Sequence, residues 1–92
     1  MYVHLGGDLV LAITDLVAVL DTRAVPGSPV NEEFFRRAQA AGRVRGGGLG
    51  PDAKALVVTR DQTVYVSSIS PHTLVRRMTQ LRQSAQARNA ET

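Results

Sequence analysis

Short apolar runs separated by turn residues dominate the first quarter of the chain, and they predict β-strands. Residues 2–5 alternate between polar and apolar side chains, and the Gly-Gly-Asp of residues 6–8 follows as a turn. Residues 9–12 and 15–20 read as two more strands, with a kink or turn near Ile13 between them. Because the second run is almost wholly apolar, we expect it to be central in its sheet or covered on both faces.

A β-hairpin is predicted in the second half of the chain. Residues 55–59 and 63–67 are rich in Val, Thr and Tyr, which favour strands. The Arg-Asp-Gln of residues 60–62 is a short polar connection of the length found in hairpins.

Two helices are predicted, each opened by a Ser-Pro pair. Ser28-Pro29 and Ser70-Pro71 supply an N-cap hydroxyl followed by a proline at the first helical position, where no backbone N–H is needed. Apolar residues then recur at helical spacing. The predicted buried faces are Val30, Phe34, Ala38 and Ala41 in the first helix, which Gly42 ends, and Leu74, Met78, Leu81 and Ala85 in the second.

The order of elements predicts one α+β domain, in which both helices pack on a small, mostly antiparallel sheet. The glycine-rich stretch 46–51 is expected to be a mobile loop without regular structure. The domain is placed at residues 1–83, and residues 84–92 read as a polar tail. Short strands in so small a domain leave sheet edges to protect, which favours oligomerisation.

Composition points to a cytoplasmic protein. The chain has no cysteine, so neither disulfides nor thiolate chemistry is expected. No apolar run approaches the ~18 residues of a membrane span. The first eight residues lack the basic and apolar regions of a signal peptide.

Charge is distributed unevenly along the chain. Residues 1–35 carry five acids against one arginine, a net charge of −4, whereas residues 36–92 carry ten bases against three acids, a net charge of +7. Ten of the eleven bases are arginine, which suits bidentate contacts to phosphate or guanine. Two differently charged solvated faces would explain the asymmetry, and so would electrostatic steering of a polyanion.

Two arginine pairs differ in their neighbours. Arg36-Arg37 follows Glu32-Glu33 at the spacing of intrahelical salt bridges, so a structural role is favoured. Arg76-Arg77 has no acid three or four residues away. Helix-borne arginines without acidic partners are candidates for phosphate contacts.

The residues give no sign of catalysis, a cofactor or a metal. The glycine run lacks the Gly-Lys-Ser/Thr end of a phosphate-binding loop. His4 and His72 have no further ligands at metal-binding spacing, and the serines have no evident base. We therefore expect a protein that is not an enzyme.

Residues 1–21 (MYVHLGGDLVLAITDLVAVLD) and 54–77 (KALVVTRDQTVYVSSISPHTLVRR) resemble the RemA/RemB family of extracellular matrix (biofilm) regulatory proteins, and residues 2–6 are closer to the RemB branch. The resemblance covers about residues 1–82. It implies a small α+β subunit of a ring-shaped homo-oligomer. RemA-like members bind promoter DNA through basic residues repeated around the ring and activate biofilm and osmoprotection genes.

This chain departs from the RemA branch where that branch carries arginines. One cluster lies just before the strand 55–59, at residues 51–54 here, where only Lys54 is basic; another arginine falls near Asp15. Arg43 and Arg45 would replace the lost charges if the glycine loop folds back, which alanine replacement of both would test. The predicted nucleic-acid-binding residues are Arg43, Arg45, Lys54, Arg76 and Arg77.

The resemblance and the charge pattern together predict an oligomeric, DNA-binding transcriptional regulator of extracellular matrix genes. Double-stranded DNA is favoured over RNA, because the interleaved aromatics of single-strand binders are absent. The alternative is a ring-forming structural or protein-interaction module that has lost DNA binding. A RemA-type paralogue is a possible partner under either hypothesis.

Overall fold

The fold is α+β, with two helices and two sheets, as seen in a computed structural model. The structure describes residues 1–91 and the side chains of residues 1–84. The boundary predicted at residue 84 stays a prediction, because the side chains beyond it lie outside the described residues. The strands are β1 (Tyr2–Gly6), β2 (Leu9–Ala12), β3 (Leu16–Asp21), β4 (Val44–Arg45), β5 (Ala55–Thr59) and β6 (Val64–Ser67), and the helices are α1 (Pro29–Ala40) and α2 (Pro71–Glu91).

The strands form a two-stranded and a four-stranded sheet instead of the single sheet expected. β1 and β2 make an antiparallel hairpin, and the second sheet has the order β3-β5-β6-β4. Its pairs are antiparallel except for β4 against β6, which are parallel. A 3-10 turn at Ile13–Asp15 separates β2 from β3, which confirms the predicted break.

The four-stranded sheet is covered on both faces, and the helices lie on opposite sides of it. Ala55 and Val57 of β5 pack with buried residues of the hairpin and of α2. Leu56, between them, packs with Phe35 and Ala38 of α1. Since neighbouring residues of a strand face opposite ways, α1 covers one face, and the hairpin and α2 cover the other.

Of the two alternatives expected for the third strand, the covered one is observed: Val19 packs with the cluster of the hairpin and α2, and Leu20 with the cluster of α1. β3 forms an edge of the sheet, and the central strand is β5, which is buried along almost its whole length. A bulge at Val17 interrupts the β3–β5 register, and this side chain is 60% exposed. The side chains of β3 are therefore covered on both faces of the sheet, but the backbone of β3 pairs with a strand on one side only, that of β5.

The buried face of α1 is also rotated from the predicted one. Ala38 is fully buried, as expected, but its companion is Phe35, while Val30 and Phe34 are 78% and 37% exposed. Phe35 and Ala38 occupy adjacent positions three residues apart on one helical face, and this face meets the sheet.

The two Ser-Pro helix starts and the hairpin turn are confirmed. The Ser28 and Ser70 hydroxyls accept hydrogen bonds from the backbone N–H groups of Asn31 and Thr73. The β5–β6 turn contains Gln62 at φ 68°, and the Thr59 hydroxyl donates a hydrogen bond to Asp61 across its base.

Among the described residues, neither helix has the length and apolarity needed to cross a bilayer.

Candidate nucleic-acid interface

The five cations predicted to contact nucleic acid fall into two groups. Arg43 and Arg45 lie at β4, close to the β5–β6 turn. Lys54 lies at the opposite end of β5, in a hollow shared with the first residues of α2, and Arg76 and Arg77 lie in the second turn of that helix. Arg43 and Lys54 lie at opposite ends of β5, ~16 Å apart along the strand at about 3.3 Å per residue. Arg45, by contrast, pairs with Tyr65, which is level with Val57 in the middle of β5.

In the first group, both side chains are engaged by their surroundings. Arg43 Nη1 donates a hydrogen bond to Gln62 Oε1 at 2.8 Å, and Arg43 also lines a groove against α1. Its Nε is shielded from solvent and has no hydrogen-bond partner among the described residues. Arg45 Nη1 turns back onto the carbonyls of Gly42 and Val44, at 2.7 and 3.2 Å. A role of either residue in DNA binding stays a prediction.

The glycine loop packs against the end of β6. Gly46 has φ +91°, and a Cβ atom there would lie 2.5 Å from the carbonyl oxygen of Val66. Residues from Gly48 to Ala53 then border a small hollow with Ser67 and Ser68. The loop has no regular structure, as predicted, but it carries the chain towards Lys54 without bringing Arg43 there. The replacement of the lost cations by Arg43 and Arg45 stays a prediction.

In the second group, Lys54 has an additional cationic neighbour that the sequence analysis missed. Arg23 lines the same hollow and pairs with Asp21, with Nη2 2.7 Å from Oδ2. The hydrogen bonds from the Arg23 side chain lower the pKa of Asp21 to about 2. The i,i+2 spacing of Asp21 and Arg23 in the sequence could have suggested this ion pair. Since Asp21 neutralises Arg23, Lys54 is the uncompensated charge beside the start of α2, where the helix dipole also favours an anion.

α2 presents its arginines on the side away from the core. Leu74 and Met78 are buried against the sheet and hairpin, and at 100° per residue Arg76 points almost directly opposite to them. Arg77 lies on the flank of the helix, where it borders a hollow with Tyr2 and His4 of β1. The described side chains of α2, residues 71–84, include no acid, so Arg76, Arg77 and Arg82 give this part of the helix a net positive charge.

The Arg36-Arg37 pair of α1 shares one acid, Glu33, so the predicted intrahelical pairing is made by Glu33 and not by Glu32. Glu33 lies 2.6 Å from Arg36 Nη2 and 2.8 Å from Arg37 Nε. The hydrogen bonds from Arg36, followed by those from Arg37, lower the pKa of Glu33 to about 2. Glu32 instead accepts a hydrogen bond from the backbone of Gly27. The two Arg-Arg pairs thus differ in their electrostatic environment, since only the pair on α2 lacks an acidic partner among the described residues.

The described part of the chain offers no ready metal centre. No group of three or more His, Asp or Glu side chains within it is arranged to hold a metal ion. His4 and His72 lie on different elements, in β1 and α2, and both are exposed.

Comparison with known proteins identifies the family. Residues 2–78 match the RemA-like family, described as extracellular matrix regulatory protein A-like. The chain is also 37% identical over 79 residues to extracellular matrix regulatory protein B of Bacillus subtilis (strain 168), an alignment that covers 84% of this chain and 89% of the relative. The chain therefore belongs to the RemA/RemB family of extracellular matrix regulatory proteins and is RemB-like.

Proposed function

We propose that this protein is an oligomeric, non-catalytic regulator of extracellular matrix genes that binds double-stranded DNA through α2. The names of the family and of the Bacillus subtilis relative support the regulatory role. The arginines of α2, which have no acid among the described side chains of the helix, support DNA as the ligand, because duplex DNA is a dense array of phosphates.

The observation that carries this proposal is the contrast between the two Arg-Arg pairs. Arg36 and Arg37 share Glu33, whereas Arg76 and Arg77 have no acidic partner among the described residues. An acid that pairs with a guanidinium weakens its attraction for a phosphate. No acid pairs with Arg76, with Arg77 or with Lys54 beside the start of α2 among the described residues, so these cations can meet an anion that approaches the helix.

The proposed contact would position the protein on the DNA backbone before it reads any sequence. Arginine and lysine bound to phosphate oxygens fix orientation without base specificity. One subunit offers only a few such contacts, so repetition in a ring would raise the affinity through avidity. The Ser70 N-cap and the buried Leu74 hold the start of α2 firmly against the sheet, so its cations approach the duplex as a rigid group.

The experiment is a fluorescence-anisotropy titration of a labelled duplex at two salt concentrations. If an assembly neutralises about 6–10 phosphates, its affinity should fall ~10³–10⁵-fold between about 50 and 200 mM salt. An affinity that does not change with salt, or no binding at the lower concentration, would exclude the phosphate-contact mechanism.

A second candidate function is a ring-forming structural or protein-interaction module that has lost DNA binding. It is favoured by the segment before β5, where Pro51 and Asp52 stand at positions that the RemA branch fills with arginine. Under this hypothesis the bases pair with acids of neighbouring subunits or of a RemA-type paralogue. It predicts assembly that persists at high salt, together with no binding to the duplex at low salt.

A further inference from the structure

An apolar stripe of α1 is left uncovered by its own chain. Val30 and Phe34 lie one helical turn apart and are 78% and 37% exposed. They border an open groove of about 700 Å³, which Pro29 and Val58 extend with further apolar surface. Two large apolar residues aligned along a groove mark a surface suited to binding another apolar side chain.

The groove also contains an uncompensated cation. Of the charged residues that line it, Glu33 and Arg37 pair with each other, and Glu33 also pairs with Arg36. Arg43 has only the neutral Gln62 side chain as a hydrogen-bond acceptor, and its shielded Nε has no partner among the described residues. No acid pairs with the Arg43 guanidinium among the described residues, so its positive charge is left for an incoming group. The ligand of this groove should therefore combine an apolar side chain with a carboxylate.

The edge of β3 presents that combination. Val17 lies in the bulge and is 60% exposed, and Asp15 precedes it by two residues. The Asp15 carboxylate is exposed and makes no ion pair with any described side chain. The bulge disfavours the addition of another strand at this edge and leaves Val17 projecting as an isolated knob.

We propose that a second copy of this chain fills the groove with its β3 edge. Val17 of one subunit inserts between Val30 and Phe34 of the next, and its Asp15 bonds to Arg43 there. The inference rests on the oligomeric part of the proposed function and assigns the surfaces that join the subunits. It also assigns Arg43 to assembly instead of to DNA.

The knob and the groove are different surfaces of the subunit, so the contact can repeat head to tail around a ring or be made twice across a two-fold axis. β3 and β4 are the two edges of the four-stranded sheet, and Arg43 precedes β4 directly. Each subunit can therefore receive one neighbour and insert into another. A closed assembly, whether a ring or a two-fold dimer, leaves no groove or knob unfilled, whereas an open chain leaves one of each at its ends.

Mixing two single-cysteine variants tests the contact directly, because the chain has no cysteine of its own. Val17→Cys and Phe34→Cys chains of different tag length are combined, reassembled and oxidised without DNA. The expected product is a disulfide-linked pair of one long and one short chain on a non-reducing gel. The matched control replaces Val17→Cys by Val75→Cys, since Val75 is 50% exposed but lies on α2. Equal yields from the test and control pairs, or no linked pair, would overturn the assigned surfaces.

A charge exchange provides an independent measurement. Asp15→Arg and Arg43→Asp should each reduce the mass of the wild-type assembly in light scattering, and combining both substitutions in one chain should restore it, because every knob then meets a groove of opposite charge. Restoration also shows that neither substitution prevents folding. If the wild type assembles but its mass is not restored in the doubly substituted chain, the Asp15–Arg43 contact is excluded, while the proposed oligomer itself is not contradicted. A wild-type mass equal to one chain would instead remove the oligomeric part of the proposed function.

Discussion

The buried hydroxyl of Ser67 donates a hydrogen bond to the backbone carbonyl of Leu5, at 2.5 Å, and thereby joins the two sheets. Ser67 ends β6 of the four-stranded sheet, and Leu5 lies in β1 of the hairpin, 62 residues away. The same hydroxyl accepts a hydrogen bond from the backbone N–H of Ile69, at 3.0 Å. One side chain thus fixes the hairpin on the sheet and shapes the connection to α2.

Ser67→Ala should destabilise the protein, because it leaves the Leu5 carbonyl without this donor and the Ile69 N–H without this acceptor. The expected loss in the free energy of unfolding is about 1–3 kcal/mol. Urea unfolding would measure it. Ser68→Ala is the matched control: Ser68 is exposed, so its replacement should change stability by less than about 0.5 kcal/mol. Equal effects of the two substitutions would contradict the proposed role of the Ser67 hydroxyl.

Gly46→Ala should be much more harmful than Gly47→Ala. Both residues have φ near +90°, so alanine is strained at either position, by roughly 1–3 kcal/mol. Only at Gly46 would the new Cβ also collide, lying 2.5 Å from the Val66 carbonyl oxygen and 2.8 Å from Leu9 Cδ1. The difference in unfolding free energy between the two variants measures the collision. No difference would mean that the loop does not pack on β6 as described.

Leu74→Ala and Val75→Ala compare the two sides of α2. Leu74 is fully buried, so its truncation should lower the free energy of unfolding by about 2–5 kcal/mol. Val75 is half exposed, and alanine is the better helix former, so its replacement should have an effect within about 0.5 kcal/mol. Thermal or urea unfolding of the two variants checks the orientation of α2, and a reversed order would place the arginines on the wrong face.

Glu33 should titrate well below an ordinary glutamate. Its pKa is lowered from 4.5 to about 2 by the hydrogen bonds from Arg36 and Arg37. Since the folded-state pKa is the lower one, the pairing is fully formed above about pH 4.5 and is lost as the pH falls through about 2. An NMR titration of the carboxyl carbon would measure the pKa, and Arg36→Gln with Arg37→Gln should return it towards 4.5. An unchanged pKa in that variant would contradict the pairing.

Local chemistry made several elements of the fold predictable. The Ser-Pro pairs determine where both helices begin, since the hydroxyl cap and the proline both favour a first turn. The polar Arg-Asp-Gln connection between two β-rich runs was sufficient to predict the β5–β6 hairpin. The family resemblance also found independent support, because the motifs that carried it lie within the matched residues 2–78.

The remaining features depend on tertiary packing. Phe34 and Phe35 are equally apolar neighbours, so the sequence could not say which of them meets the sheet. β4 is only two residues long and pairs in parallel with β6, so no periodicity could indicate it. β3 is as apolar as a central strand although it forms an edge. Both β3 and the exposed stripe of Val30 and Phe34 on α1 are as apolar as core elements. Surfaces that become buried between subunits have the same apolar pattern.

In the candidate site, too, features fixed by local spacing were predictable, and features that depend on tertiary packing were not. The lack of acids around Arg76 and Arg77 was visible in the sequence, because helical neighbours are fixed by spacing. The separation of Arg43 from Lys54 was not, because it depends on the strand order of the sheet.

The most direct test of the central claim compares Arg76→Gln with Arg36→Gln in duplex binding by anisotropy at several salt concentrations. Each substitution removes one exposed guanidinium, but only Arg36 is paired with an acid. Arg76→Gln should weaken binding for all duplex sequences and reduce the salt dependence by about one phosphate contact per engaged subunit, while Arg36→Gln should leave both unchanged. Equal affinities and salt slopes for wild type and Arg76→Gln would contradict DNA binding through α2.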